Sequence, residues 1–294
     1  MARGAELRGA VRGWVLGGAL AVVAVAAVVL SALALAHVRQ EPPAETVAPV
    51  PTFGPEPTGT PTPTTAPPVS YDRSLERFVA VGDGVIWRGT AGSCGTVAPT
   101  LERSTDDGET WTDVAPAYLG IGGLVAVDAF AGSEAEIIAT MGDECEVQLL
   151  RTFTQGRFWA PYPDVLAGAS FVDPADAGSI RRPEGALDAP CDDARSLRGA
   201  ALVCDAVAYE LEGDVWTALP LTNVAAIAAD DEGLVIAHGA DGCDGVALTR
   251  YSPEGVATDA GCVAGLSPEN PTALAISGDD AVLWSGDEWV VSTM

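Results

Sequence analysis

Three patterns of hydrophobic and polar positions succeed one another along the 294-residue chain. From Gly13 to Ala36 no residue is charged and only Ser31 is polar, a run long enough to cross ~30 Å of hydrocarbon as a helix. From Glu41 to Ser70, ten of the chain's 21 prolines mix with Thr, Ala and Val, and no hydrophobic period survives. After Tyr71, short β-prone apolar runs recur and each ends at a glycine: Val85 to Gly89, Ile137 to Gly142, Val235 to Gly239 and Val282 to Gly286. A cysteine follows three of the four within a few residues, namely Cys94, Cys145 and Cys243.

Downstream of these runs stand turn signals. In Ser104-Thr105-Asp106-Asp107-Gly108-Glu109-Thr110-Trp111 the Ser and Asp side chains can bond nearby backbone and Gly accepts positive φ, after which Thr-Trp resumes a half-buried strand. Thr152 to Trp159 keeps the hydroxyl, Gly156 and Trp159 but loses the Asp; Tyr209 to Trp216 keeps Gly213 and Trp216; Tyr251 to Thr258 keeps Gly255. Glycines 108, 156, 213 and 255 lie 48, 57 and 42 residues apart, near the roughly 40–50 residues of a four-stranded blade.

The first octet resembles the Asp-box of the bacterial neuraminidase repeat family, S-x-D-x-G-x-T-W, through Ser104, Asp106, Gly108, Thr110 and Trp111. The resemblance implies a sialidase- or sortilin-like β-propeller in which the box is a structural turn away from any catalytic centre. The fold expected of residues 71–294 is therefore all-β, a propeller of about five blades, each plugged by an indole at its glycine bend. An ordinary β-sandwich is the alternative.

The rest of the chain follows from charge and composition. Residues 1–12, with Arg3, Arg8 and Arg12, read as a short cytoplasmic basic tail; 13–38 as a transmembrane signal-anchor; 39–70 as a disordered Pro/Thr-rich linker of extended reach. The positive-inside rule then places the C-terminal domain outside the cell as a single-pass protein. Small residues at A-x-A spacing from Ala32 to Ala36 keep secretion after signal-peptide cleavage open as an alternative. A monomer is expected, with Gly13-x-x-x-Gly17 the one seam for a helix-mediated dimer.

All 15 basic residues are Arg, as in GC-rich bacterial coding, and 37 of the 41 acids face 11 arginines after residue 70. A domain so acidic repels phosphate, which excludes nucleic acid as a partner. Six cysteines beyond the anchor suit an oxidising compartment; fifteen pairings are open, and proximity favours Cys191 with Cys204, Cys243 with Cys262 and Cys94 with Cys145. No C-x-x-C or calcium loop is present, so no metal or other cofactor is expected.

Catalysis finds little support in the residues. Sialidases carry an Arg-Ile-Pro motif and an arginine triad; the nearest text here is Ile180-Arg181-Arg182-Pro183, and His238 is the lone exported histidine. No catalytic residue is assigned. The expected role is a non-catalytic binding or scaffolding module at the bacterial cell envelope, with an unknown envelope protein or glycan as partner. An exo-sialidase-like glycoside hydrolase and a photosystem II stability or assembly factor are the alternatives. Segment 173–199, which interrupts the third repeat, is the expected binding loop, with Arg181 and Arg182 as its cationic pair.

Overall fold

The structure is a computed structural model and describes residues 71–130 and 132–294. The expected basic tail, membrane helix and linker lie outside the described residues. Among the described residues no helix is long and apolar enough to cross a membrane.

Antiparallel sheets follow one another in strict chain order. The first contains β1 (Arg77–Gly82), β2 (Val85–Thr90), β3 (Thr100–Ser104) and β4 (Thr112–Asp113). The second contains β5 (Ile121–Phe130), β6 (Glu134–Met141), β7 (Glu146–Thr152) and β8 (Ala160–Pro161), and is followed by the single-turn helix α1 (Pro163–Ala167). The third has only β9 (Phe171–Asp173), β10 (Asp176–Arg181) and β11 (Leu187–Asp188). The fourth is β12 (Arg195–Arg198), β13 (Ala201–Cys204), β14 (Val207–Glu212) and β15 (Val215–Thr222). The fifth is β16 (Val224–Asp230), β17 (Gly233–His238), β18 (Gly245–Tyr251) and β19 (Ala257–Ala264), and the sixth β20 (Thr272–Ser277), β21 (Asp280–Ser285) and β22 (Glu288–Thr293). The first strand of each sheet lies beside the first strand of the next, and β20 returns to β1. The domain is therefore a closed propeller of six blades, not about five.

The extra blade is the stretch expected to be a loop. Its strands are short and only Phe171, Val172, Asp173 and Ile180 are buried, so Asp176 to Arg181 carries no alternating apolar signature. That blade also accounts for the 57-residue gap between Gly156 and Gly213, because it holds no glycine box of its own. A second expectation fails at Gly89, which ends no strand: it pairs with Phe78 and Leu101 inside its sheet. A Cβ there would strike Leu124 of the neighbouring blade.

Apolar clusters fill the seams between blades. Phe78, Trp87 and Leu101 of the first blade interlock with Leu124, Ile137, Leu150 and Trp159 of the second. Val172 and Ile180 of the third pack on Leu202 of the fourth, and Val235 and Leu248 of the fifth on Leu274 and Leu283 of the sixth. The first and sixth blades share no strand. Their seam is closed by Val79, Ile86 and Val282 together with a cation–aromatic stack: the Arg88 guanidinium lies 3.7 Å from the Trp111 ring and 4.9 Å from Trp284, while Trp111 meets Trp289 edge-on at 5.0 Å.

The four glycine turns all join the third strand of a blade to its fourth, but the indoles do not plug their own blades. Trp159 donates from Nε1 to the Val114 carbonyl of the preceding blade at 2.9 Å, and Trp216 to the Asp188 carbonyl of its preceding blade at 3.0 Å. Trp111 likewise leans back on the sixth blade, whose Trp289 donates to the Asp107 carbonyl at 3.2 Å. Each is a staple between blades. Trp159 is buried, whereas Trp111 and Trp216 are half-buried.

Candidate functional site

In a meander of antiparallel strands, the approach to each inner strand and the connection from second to third strand fall on one face of the ring. The third-to-fourth turns fall on the other. This separates the sequence motifs from the cavity.

On the turn face, the first box closes by side-chain bonds. Ser104 Oγ donates to Asp106 Oδ1 at 2.7 Å and accepts the Gly108 N–H at 2.9 Å, while Asp106 accepts the Thr110 N–H at 2.9 Å and the Thr110 hydroxyl at 2.5 Å. Gly108 has φ 91° and faces Trp289 so closely that a side chain would collide with the indole. The second box repeats the scheme with a hydroxyl for the carboxylate: Thr152 Oγ1 accepts the Gly156 N–H at 2.8 Å, and Thr154 Oγ1 the Phe158 N–H at 2.9 Å. Gly213 sits in a plain hairpin without this net, whereas beside Gly255 part of it returns: Ser252 Oγ donates to Glu254 at 2.8 Å and accepts the Glu254 and Val256 N–H groups at 3.3 and 3.4 Å.

These bonds, Thr110 first and Ser104 next, hold the Asp106 carboxyl at about 2. A depressed folded value means that its stabilising contribution is present above the ordinary carboxylate range and is lost as pH falls toward 2. Asp106→Asn should therefore flatten the acid limb of thermal stability between about pH 4 and pH 2. Parallel Tm-versus-pH curves for the two proteins would contradict the assignment.

On the opposite face lies a cavity of about 670 Å³ bounded by the first four blades. Phe78, Leu124, Val125, Val147, Phe171 and Val172 give it an apolar wall, and Arg73, Glu76, Asp173, Arg181 and Arg198 a charged one. At its edge the Cys94–Cys145 disulfide joins the second-to-third strand connections of the first two blades. The other disulfides are Cys191–Cys204, which ties the approach to the fourth blade to β13, and Cys243–Cys262, within the fifth.

The cavity has a lid-like member that is no part of any sheet. Tyr71 to Glu76, with a 3-10 turn at Arg73–Leu75, precedes β1 and accepts bonds from blade one: Ala91 N–H to Glu76 O at 2.8 Å and Gly92 N–H to Ser74 O at 3.0 Å. Its other contacts are to the approach to blade four. Arg73 bonds Asp193 at 2.7 Å and the Ala194 carbonyl at 2.9 Å, Ser196 N–H donates to Glu76 Oε1 at 3.1 Å, and Arg195 donates to the Tyr71 carbonyl at 2.8 Å while its guanidinium lies 4.1 Å from the Tyr71 ring. Burial, then the Glu76 charge, pushes the Tyr71 hydroxyl above its ordinary value. Blades one and four are opposite in a ring of six, so the segment crosses the mouth.

The expected cationic pair is split. Arg181 lines the cavity but is bound to Asp173 at 2.7 Å, whereas Arg182 is held by Asp214 of the next blade at 2.9 Å. Of the three lining arginines only Arg198 has no carboxylate within ion-pair distance among the described residues. Asp128, which water reaches although protein surrounds it, has its carboxyl raised by desolvation against the pull of Arg198. His238 is a buried strand residue, its ring nitrogens 3.1 Å from Gly239 O and 2.8 Å from Thr249 Oγ1, and it does not line the cavity. Sequence reasoning missed the strap and its partners; the Asp192-Asp193 pair reads as a solvated turn until Arg73 and Arg195 are placed on it.

No protein-family profile matches the chain, and no curated protein matches it. Among solved structures it is similar to the SapL1 lectin in complex with alpha methyl fucoside, with 11% identity, TM-score 0.41 and coverage of 78% of this chain and 98% of that one. It is similar to YCF48 bound to D1 peptide at 14% identity and TM-score 0.38, covering 74% and 77% of the two chains. The Hadza microbial sialidase Hz136 gives 12%, 0.31, 70% and 49% in the same order. Likeness at this level adds nothing to what the ring itself displays. With the box geometry and the closed circuit of sheets, the described part of residues 71–294 is a six-bladed β-propeller whose first blade carries a turn of Asp-box type.

Proposed function

We propose that this chain is a membrane-anchored, extracytoplasmic propeller that acts as a non-catalytic binding module at the bacterial envelope, with its ligand seated at the cavity face. The anchor and orientation rest on the uncharged run Gly13 to Ala36 and the arginines before it; three disulfides suit an oxidising compartment.

The observation that carries the binding role is the strap-covered cavity with its mixed wall, the kind of concavity in which small ligands and chain ends are held. Its side chains favour holding over turnover. Arg73 and Arg181 are committed to Asp193 and Asp173, so they do not stand ready as a clamp for a substrate carboxylate, and the histidine is elsewhere. Fold alone decides none of this.

The test is thermal-shift and calorimetric titration of cell-wall glycan fragments and envelope-protein peptides against the intact protein and Ser170→Trp, which places bulk at an exposed cavity-lining position. Binding by the wild type and its loss in the variant at unchanged Tm is the expected outcome. Equal binding by both, or turnover of a fluorogenic sialoside by the wild type, would overturn the reading.

A further inference from the structure

We infer that Tyr71–Glu76 is a latch that opens as a unit, swinging away from blade four about its junction with β1, and that it controls access to the cavity. The inference rests on the binding role only for what enters; the latch itself is tested without ligand.

The segment is built to be separable from the ring. It belongs to no sheet, and its 3-10 turn has no buried residue. Its hold on blade four is made of polar bonds and one stack: Arg73 and Arg195 meet on Asp193, whose side chain is 46% exposed, the Arg195 guanidinium lies on the Tyr71 ring, and the buried Glu76 and the Tyr71 carbonyl accept the remaining bonds. Ion pairs to a carboxylate as exposed as Asp193 are weak and screened by salt, and the strap leaves no apolar side chain of its 3-10 turn buried, whereas the seams between blades are apolar and buried. Its release therefore costs far less than opening the ring, which is the condition for a local, independent motion.

The geometry gives the motion a direction and a consequence. The contacts of Tyr71 and Arg73 are to blade four, while Ser74 and Glu76 also bond blade one and continue into β1, so the free end is the one nearest residue 70. Asp72, Arg73, Ser74 and Glu76 themselves line the cavity, so removing the strap removes a wall. In sequence the strap is continuous with the Pro/Thr-rich stretch that ends at Ser70, and a pull on the chain from that side reaches these contacts before any strand.

Amide hydrogen exchange on the full chain tests this, comparing the wild type with Arg73→Ala. The reporter is Ser196, whose N–H donates to the strap from blade four; Leu283 and Ile236, fully buried in later blades, report the ring. Expected are faster exchange at the reporter than at the ring positions, a further acceleration of about tenfold in Arg73→Ala, and a similar rise in 1 M NaCl, with ring amides unmoved. Stopped-flow entry of 8-anilinonaphthalene-1-sulfonate should accelerate in the variant, the rate alone being read because Arg73 itself lines the cavity. A Ser196 amide that exchanges together with the ring and ignores both perturbations would overturn the latch. Faster exchange without faster dye entry would overturn its control of access. Failure to find a glycan or peptide ligand would leave the exchange result standing and count against the binding role alone.

Discussion

Trp87→Ala is expected to destabilise the domain by about 3–5 kcal/mol, because the side chain is fully buried between the first two blades and its removal leaves a cavity the rigid ring cannot close. Trp87 sits edge-to-face on Trp159, 6.1 Å between centroids, so the loss also unseats the staple of the second box. Trp111→Ala should cost much less, roughly 1–2 kcal/mol, since that ring is half-buried and contributes an edge-on aromatic contact and the Arg88 stack. The Trp87 indole N–H is buried without a hydrogen-bond partner, which adds a further expectation. Trp87→Phe should cost well under half of the alanine change, because it removes an unsatisfied donor along with part of the volume. Denaturant unfolding of the three variants decides the order, and an alanine change at Trp111 as costly as one at Trp87 would contradict it.

Replacing both Cys94 and Cys145 by alanine is expected to cost roughly 4 kcal/mol, the chain-entropy value for a closed loop of this length. The bond spans 51 residues and joins adjacent blades, whereas Cys191–Cys204 spans 13 and should contribute roughly 3 kcal/mol on the same basis. The contrast is testable by guanidinium unfolding of the two double-alanine proteins. Because the first disulfide also borders the cavity, its loss should alter affinity for the ligand proposed to sit there, while loss of Cys243–Cys262 should leave it unchanged.

Much of the scaffold was legible in the residues because a propeller repeats one local problem. The blades that carry the box need extended runs, a glycine where the chain reverses with positive φ, and a bulky group at the seam with a neighbour; Gly108, Gly156, Trp111 and Trp159 display those needs at regular spacing. The third blade was not legible. Its short strands pair with one another but find their apolar packing on blades two and four, so its own sequence shows neither alternation nor a box, and Arg181 and Arg182 look like a free cationic pair although Asp173 and Asp214 neutralise them.

The cavity was the least visible feature, since it is assembled from positions scattered from Asp72 to Arg198 that share no motif. Only the closed ring brings Arg73 to Asp193, 120 residues away, and so turns a segment that reads as an ordinary lead-in to the first strand into a strap across the mouth. The sequence by itself determined the all-β repeat, the local turns and the acidic, disulfide-compatible character, because these depend on neighbours along the chain and on composition. Tertiary structure alone decided the number of blades, the backward lean of the indoles and the strap-covered cavity, because each depends on which distant surfaces the ring sets face to face.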